Sequence, residues 1–277
     1  MASQTSELLT LQQAAEWLNV HYMTAYRWVR RGDLPAFKTG GRLRVRVADL
    51  ERFLAERELD LALGDRPTSA TDWARHRERL RALLLSGDEG QARNEVQKVI
   101  SDGAIAGDVY VHLLTPVLHD IGALWADGEI GVAEEHRASQ ICTKIVTQLS
   151  DLFRRRGPDR GAAAVLTPPD DQHAIASAMV ADYLRASGYT VHHLGANVPA
   201  RDLAMFLAVV PVDLVCFSIT SPLPTEQYAS IATASREANP DTVLVLGGQG
   251  VDVDAAAAVD ALVIADLTDL ARTIEDL

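Results

Sequence analysis

Hydrophobic positions follow a different rhythm in each part of this chain. After residue 161, short apolar runs alternate with stretches in which apolar residues return every three or four positions. The runs are Ala162 to Leu166, Thr190 to Leu194, Leu214 to Ile219, Val243 to Leu246 and Leu262 to Ile264. Unbroken apolar runs of this length fit strands buried on both faces. Helical patterns fill the gaps, near 171–187, 200–210, 225–238, 251–258 and 267–276. Five strands alternating with helices predict a Rossmann-like α/β domain, a parallel sheet covered on both sides in the flavodoxin-like order.

Between 71 and 160 the period is helical throughout. Trp73, Leu80, Leu83 and Leu84 mark one helix. Asp88 caps a second, with Val96, Val99 and Ile100 on its apolar face. Asp108 caps a third, which runs through Leu114, Val117, Leu118, Ile121, Leu124 and Trp125. Gly128 and Gly131 break the chain, and Ile141, Ile145, Leu149 and Leu152 mark a fourth. Four amphipathic helices with short turns predict a four-helix bundle. Residues 58–70 lose periodicity around Gly64, Pro67 and Ser69 and read as a linker.

Residues 1–57 carry a third pattern. Thr10 caps a short helix from Leu11 to Trp17, and after a turn at Asn19-Val20 a second runs from about Tyr22 to Arg31. Two short helices around a tight turn make a helix-turn-helix, whose second helix enters the DNA major groove. On that helix Thr24, Tyr26, Arg27 and Arg30, with His21 before them, are the candidate contacts. Alternating runs then flank Gly40-Gly41, a hairpin signal, with Lys38, Arg42, Arg44 and Arg46 as its basic tip and face. A last helix, capped by Asp49 or its neighbours, packs through Leu50, Phe53 and Leu54. The order helix, helix, Gly32-Asp33-Leu34-Pro35, basic hairpin, helix resembles the winged helix-turn-helix of excisionase- and MerR-type proteins. That resemblance implies a double-stranded DNA operator as partner.

Charge sharpens this division. The whole chain is at −12, which on its own argues against nucleic acid. Residues 1–57, however, hold nine Lys/Arg against six Asp/Glu, whereas the remaining 220 hold 17 against 32. Phosphate contacts are therefore confined to the head. Across 277 residues, a hydrophobic content of 48% supports several cores, and only 5% aromatics favours helices and α/β units over an all-β fold. Cys142 and Cys216 fall in apolar patterns and make neither a disulfide framework nor a thiolate cluster. With no signal peptide or long apolar span, a soluble cytoplasmic protein with no membrane partner is expected.

Candidate chemistry gathers in the strand-end loops of the α/β part, where open sheets place their ligands. The first loop holds Asp171-Gln172-His173. Asp171 can accept from one imidazole nitrogen, which leaves the other as a lone pair for a metal. Such pairs are more often structural or solvated, so the triplet alone decides nothing. The third loop holds Ser218-Ile219-Thr220-Ser221, and the fourth Gly247-Gly248-Gln249-Gly250, where absent side chains would let a ligand lie on the backbone. Dinucleotide and phosphate-loop fingerprints are missing, as are the hydrolase elbow and the His-Glu-x-x-His pair, so the chain reads as a non-enzyme. In the bundle, the third and fourth helices must double back, so Trp125, Glu135 and His136 can converge at one end. Spacing alone favours Trp125 as a core cap and the other two as surface groups.

Taken together, Asp171-x-His173-x-x-Ala176, Ser218-x-Thr220 and Gly247-Gly248 resemble the cobalamin-binding motif set Asp-x-His-x-x-Gly, Ser-x-Leu and Gly-Gly. Leu194-Gly195-Ala196-Asn197-Val198-Pro199 fits the same family. Trp125, followed after nine residues by Glu135-His136, is similar to the motif of the helical cap over the corrin. With the head in front, the full length resembles the CarH/LitR-type cobalamin photoreceptor regulators.

The resemblance implies a domain order of 1–57 DNA-binding head, 58–70 linker, 71–160 bundle cap and 161–277 cobalamin-binding domain. It implies His173 as the lower axial cobalt ligand, replacing the cofactor's dimethylbenzimidazole, with Asp171 orienting it. Ser218, Gly247 and Gly248, with Thr220 in the same motif, would receive the displaced nucleotide tail. Trp125 would lie over the upper corrin face, and Glu135 and His136 would bond an adenosyl group there. Adenosylcobalamin is the expected form, with methylcobalamin as the alternative. A light-responsive repressor acting as a dimer or tetramer follows. Three positions depart from the pattern: Ala176 for Gly, Thr220 for Leu, and Ala126 where some members place a second histidine. Two other readings stand beside this one: a corrinoid carrier of methyl groups, which needs no basic head, and a DNA-binding protein whose body only dimerises.

Overall fold

Two units, Met1–Glu58 and Leu59–Leu277, make up the computed structural model, which describes residues 8–18, 25–26, 28–29, 34–39, 42–53, 71–153 and 160–275. The first unit holds β1 (Leu8–Thr10), α1 (Leu11–Trp17), β2 (Phe37–Thr39) and β3 (Arg42–Arg46), in an antiparallel sheet of order β1-β3-β2. β2 and β3 form the expected hairpin, with Thr39 opposite Arg42. β1 was not foreseen, because three residues are too few to show a period of two. Thr10 caps α1 as predicted: its Oγ1 accepts from the Gln13 N–H at 3.2 Å, and Gln13 Oε1 accepts from the Thr10 N–H at 2.9 Å. Residues 25–26 and 28–29 are helical, as is 47–53. Asp49 lies inside that last helix, paired with Arg52. Leu11, Ala14, Ala15, Ala25, Leu34, Val45, Leu50 and Phe53 form the core of this unit. The Gly40-Gly41 turn, Leu54 and the linker over 58–70 lie outside the described residues.

The second unit opens with α2 (Trp73–Ser86), α3 (Glu89–Ser101), α4 and α5 (Val132–Leu149). α4 is built of Ala106–Asp108, a π-helical stretch Val109–Leu114, and Thr115–Ala126. Asp72 and Asp88 cap α2 and α3, accepting from Arg75 N at 3.1 Å and Gln91 N at 3.0 Å. Asp108 caps nothing. Buried Ala104, Ala106 and Val109 draw the helix start upstream, so Ile105 stands at the N-cap and Asp108 falls inside the helix.

The sheet comprises β4 (Ala162–Leu166), β5 (Thr190–Gly195), β6 (Leu214–Ser218), β7 (Val243–Gly247) and β8 (Leu262–Ile264). All neighbours are parallel, in the order β5-β4-β6-β7-β8, the flavodoxin-like arrangement expected. The helices between are α6 (Ala174–Ala186), α7 (Ala200–Leu207), α8 (Thr225–Arg236), α9 (Val253–Ala258) and α10 (Leu267–Glu275). Successive strand residues face opposite sides. Ala163, Val165, Leu214, Cys216 and Val245 join the core of the four helices, and Ala164, Leu166, Val215, Phe217, Leu244 and Leu246 face α7, α8 and α9. β5 is not buried on both faces as its apolar run suggested. It is an edge strand, half-exposed along its length. Among the described residues, no helix is long and apolar enough to cross a membrane.

One polar knot ties the helices to the α/β layer. Asp182 of α6 is fully buried, and its carboxylate accepts from Tyr110 Oη of α4, Ser150 Oγ after α5, and Arg185, each at 2.7 Å. Tyr110 stacks on Phe153, ring centroids 4.8 Å apart, which in turn meets Tyr183 of α6.

Candidate functional site

The chain leaves β4 at Leu166 and enters α6 at Ala174, so His173 stands at the N-cap of α6. Its side chain makes no capping bond there and is free for other use. Nδ1 lies 2.7 Å from Asp171 Oδ1, which also accepts the His173 backbone N–H at 3.0 Å. The imidazole is 53% exposed, and among the described residues Nε2 has no hydrogen-bond partner. This is the geometry the Asp-x-His spacing predicted.

Asp171 does more than the spacing revealed. Its Oδ2 accepts from the backbone N–H groups of Thr220 at 2.7 Å and Ser221 at 3.2 Å, so one buried carboxylate joins the first and third strand-end loops. Burial alone would raise its pKa. The bonds from His173, Thr220 and Ser221 outweigh that and hold it at about 2. His173 is pushed up, first by its bond to Asp171 and against desolvation, with the charges of Asp171 and Glu135 adding to the rise.

A pH dependence follows. The folded pKa of Asp171 lies below its ordinary value of 3.8, so its bonds stabilise the fold above about pH 4 and are lost as pH falls through about 2. The shift corresponds to roughly 2 kcal/mol. Acid unfolding of Asp171→Asn should show a shallower loss of stability between these values than the parent. Superimposable acid profiles would refute the assignment.

The other predicted positions divide. Ser218 is buried at the end of β6, paired in register with Gly247. A Cβ at Gly247 would press on the Ile264 carbonyl at 3.2 Å, and Gly248 and Gly250 do not provide a bare floor either. A Cβ at Gly248 would collide with the Ile219 backbone, and one at Gly250 with the Ser221 backbone. These glycines serve close approach of the third and fourth loops, which also bond as Ile219 N to Gly247 O at 2.7 Å and Gly250 N to Ile219 O at 3.0 Å. At the same edge, in the first turn of α8, Gln227 Oε1 is buried with no hydrogen-bond partner among the described residues, an acceptor available to a ligand.

Trp125 is not a core cap. It continues the stripe of Val117 and Ile121, both buried, but sits one turn past the core and is 49% exposed. Glu135 accepts from Ser139 Oγ at 2.6 Å, and His136 is largely solvent-exposed beside it, 3.7 Å from the Glu135 carboxylate. In the head, Thr24, Arg27, Arg30 and His21 lie outside the described residues. Tyr26 packs partly against the head core. Arg44 lies opposite Phe37 on the hairpin, and Arg46 sets its guanidinium 4.2 Å from the Phe37 ring. Arg42, Arg44 and Arg46 alternate along β3, but Lys38 lies opposite Leu43 and so points to the other face, which corrects the single basic face. Thr167, Asn197 and Ser221 were missed as site residues. Their roles run through backbone bonds between loops, for which spacing gives no signal.

The donor set fits a corrin. The macrocycle fills four cobalt positions itself, so one oriented imidazole with a free nitrogen, such as that of His173, would suffice from the protein. Among the described residues, no cluster of three His, Cys, Asp or Glu exists to bind a bare ion.

Comparison with known proteins agrees with these features. Residues 8–58 match a helix-turn-helix domain, and residues 76–150 and 161–273 each match a B12 binding domain. The chain is 28% identical over 176 residues to the HTH-type transcriptional repressor CarA of Myxococcus xanthus, covering 62% of this chain and 59% of the relative. It is 28% identical over 169 residues to CarH of the same organism, covering 60% and 56%. The matched parts thus span less than three fifths of either repressor. The structure of the Methanosarcina barkeri monomethylamine corrinoid protein shares the fold with a TM-score of 0.63 at 16% identity, covering 73% of this chain and 98% of that one.

Proposed function

From a chain that carries a helix-turn-helix domain followed by two B12-binding domains, an order consistent with the CarH-type cobalamin-binding regulators, we propose a light-responsive transcriptional repressor controlled by the upper ligand of cobalamin. The observation that carries this reading is the imidazole of His173, oriented by Asp171 and presenting a free Nε2. His173 would hold the cobalt of a bound cobalamin, and Asp171 would fix its orientation and basicity. Ser218, Thr220 and Gly247 would receive the nucleotide tail, with Gly248 holding the third and fourth loops together beside them. Adenosylcobalamin, when bound, supplies a chromophore whose cobalt–carbon bond is broken by visible light.

Trp125, Glu135 and His136 sense the upper ligand. The indole of Trp125 is exposed and available to a corrin face, and Glu135 and His136 stand together at the start of α5. α4 and α5 meet α6 through Tyr110, Ser150 and Asp182, a route by which movement at Trp125 reaches the α/β layer. The head contacts operator DNA through the recognition helix with Thr24, Tyr26, Arg27 and Arg30, and through Lys38, Arg42 and Arg44 of the hairpin wing. Linking heads as a dimer or tetramer raises DNA affinity through effective concentration, so control of assembly is control of repression. Ala126, next to Trp125, offers no side-chain nitrogen to a bound cobalamin. No substrate is turned over in this scheme, which operates in the cytoplasm.

Chromatography and operator binding of the adenosylcobalamin-loaded protein, dark against green light, test this reading. A change in oligomeric state together with a change in DNA affinity is expected. Identical elution and identical binding would sink light control. The likeness to corrinoid proteins favours a second reading, a methyl carrier. Transfer of the methyl group from protein-bound methylcobalamin to a thiol in the dark would support it, and the basic hairpin argues against it.

A further inference from the structure

The loop that presents His173 has no regular structure between Leu166 and Ala174, so something else must hold it. Asp170 within it adopts a left-handed φ of 66°. The loop after β5 supplies the restraint. Asn197 Oδ1 accepts from the Asp170 N–H at 2.8 Å, while the Asn197 N–H donates to the Asp171 carbonyl at 3.0 Å and to Thr167 Oγ1 at 2.8 Å. Thr167 is fully buried, and its hydroxyl donates to the same Asp171 carbonyl at 2.5 Å. Asn197 therefore grips the backbone on both sides of the Asp171 α-carbon. It does so from a left-handed φ of 56°, a conformation that asparagine tolerates better than most side-chain-bearing residues. Its side chain is exposed, so it fills no core space that would explain it.

We propose that Asn197 is a positioning residue for the cobalt ligand: by fixing Asp170 and Asp171, it fixes the carboxylate that aims His173. This rests on the proposed bond between His173 and cobalt. A misplaced Asp171 would leave the imidazole free to rotate, and loss of such an outer restraint typically weakens metal binding by about 10-fold to 100-fold.

Two substitutions separate this role from a merely structural one. Asn197→Gly keeps the left-handed backbone without strain and deletes only the acceptor. Asn197→Asp retains an acceptor oxygen at the same reach. Each protein, labelled with nitrogen-15 histidine, is loaded with cob(II)alamin. The nitrogen splitting in its electron paramagnetic resonance spectrum is then read, two-line from the protein's imidazole and three-line from the cofactor's own base.

For Asn197→Gly, a mixed spectrum with reduced two-line character and about tenfold weaker cobalamin binding are expected. Asn197→Asp should restore both, with cooperative melting of all apo proteins. A pure two-line spectrum and parental affinity in Asn197→Gly would overturn the proposal, as would failure of Asn197→Asp to restore them. His173→Ala is the control. If it still shows a two-line spectrum, the axial-ligand assignment itself fails, an outcome distinct from failure at Asn197.

Discussion

Cobalamin bound to a His173→Ala variant is expected to lose its protein-derived axial nitrogen altogether, and affinity should fall on the order of a hundredfold or more. The reason is the single free nitrogen in the site. Nδ1 is committed to Asp171 at 2.7 Å, and Nε2 of the half-exposed ring has no hydrogen-bond partner among the described residues. Alanine removes that donor with little penalty to the fold, because the ring is half-exposed and Asp171 Oδ2 keeps its bonds to Thr220 and Ser221. The apo variant should melt near the parent. Its cobalamin spectrum should change, and free imidazole should partly restore it. An unaltered spectrum at parental affinity would remove the central assignment, and with it any link from light to DNA through this ligand.

The second large effect concerns the joint between the helices and the sheet layer. Asp182→Ala should destabilise the protein by about 3 kcal/mol, since breaking a buried charged group's bonds leaves its partners under-satisfied. Three donors converge on that carboxylate from α4, from the end of α5 and from α6 itself. The cost is bounded because Tyr110 and Ser150 both reach the Val146 carbonyl, at 3.4 and 3.1 Å. Asp182→Asn, which keeps one acceptor oxygen, should cost less than half as much. Urea midpoints of the apo proteins measure the difference. A loss under about 1 kcal/mol for Asp182→Ala would show that apolar packing of Tyr110, Phe153 and Tyr183, rather than the acid, holds the joint.

Much of this protein was legible from its residues. The five apolar runs after residue 161 became the five strands within a residue or two, and their alternation with helices gave the sheet order. Asp-x-His gave the orientation of His173 because two residues of separation in a loop suffice for that bond. Errors fell where neighbours decide. The apolar run at Thr190 could not disclose that β5 would be an edge. Asp108 looked like a cap until burial of Ala104 and Ala106 moved the helix start. Trp125 looked like core, yet it sits one turn past buried Ile121 and is half-exposed.

Legible along the chain were the local and periodic features: where strands and helices lie, which loop carries the imidazole, and which part of the chain is basic. Folding in three dimensions was needed before Asp171 could bridge two loops, Gly248 and Gly250 could make room for backbone, and Asn197 could grip the loop that carries His173. The physical reason is range. Side-chain period and short spacing are written along the chain, whereas a hydrogen bond between residues 171 and 220, or 170 and 197, exists only once a parallel sheet has brought its strand ends side by side.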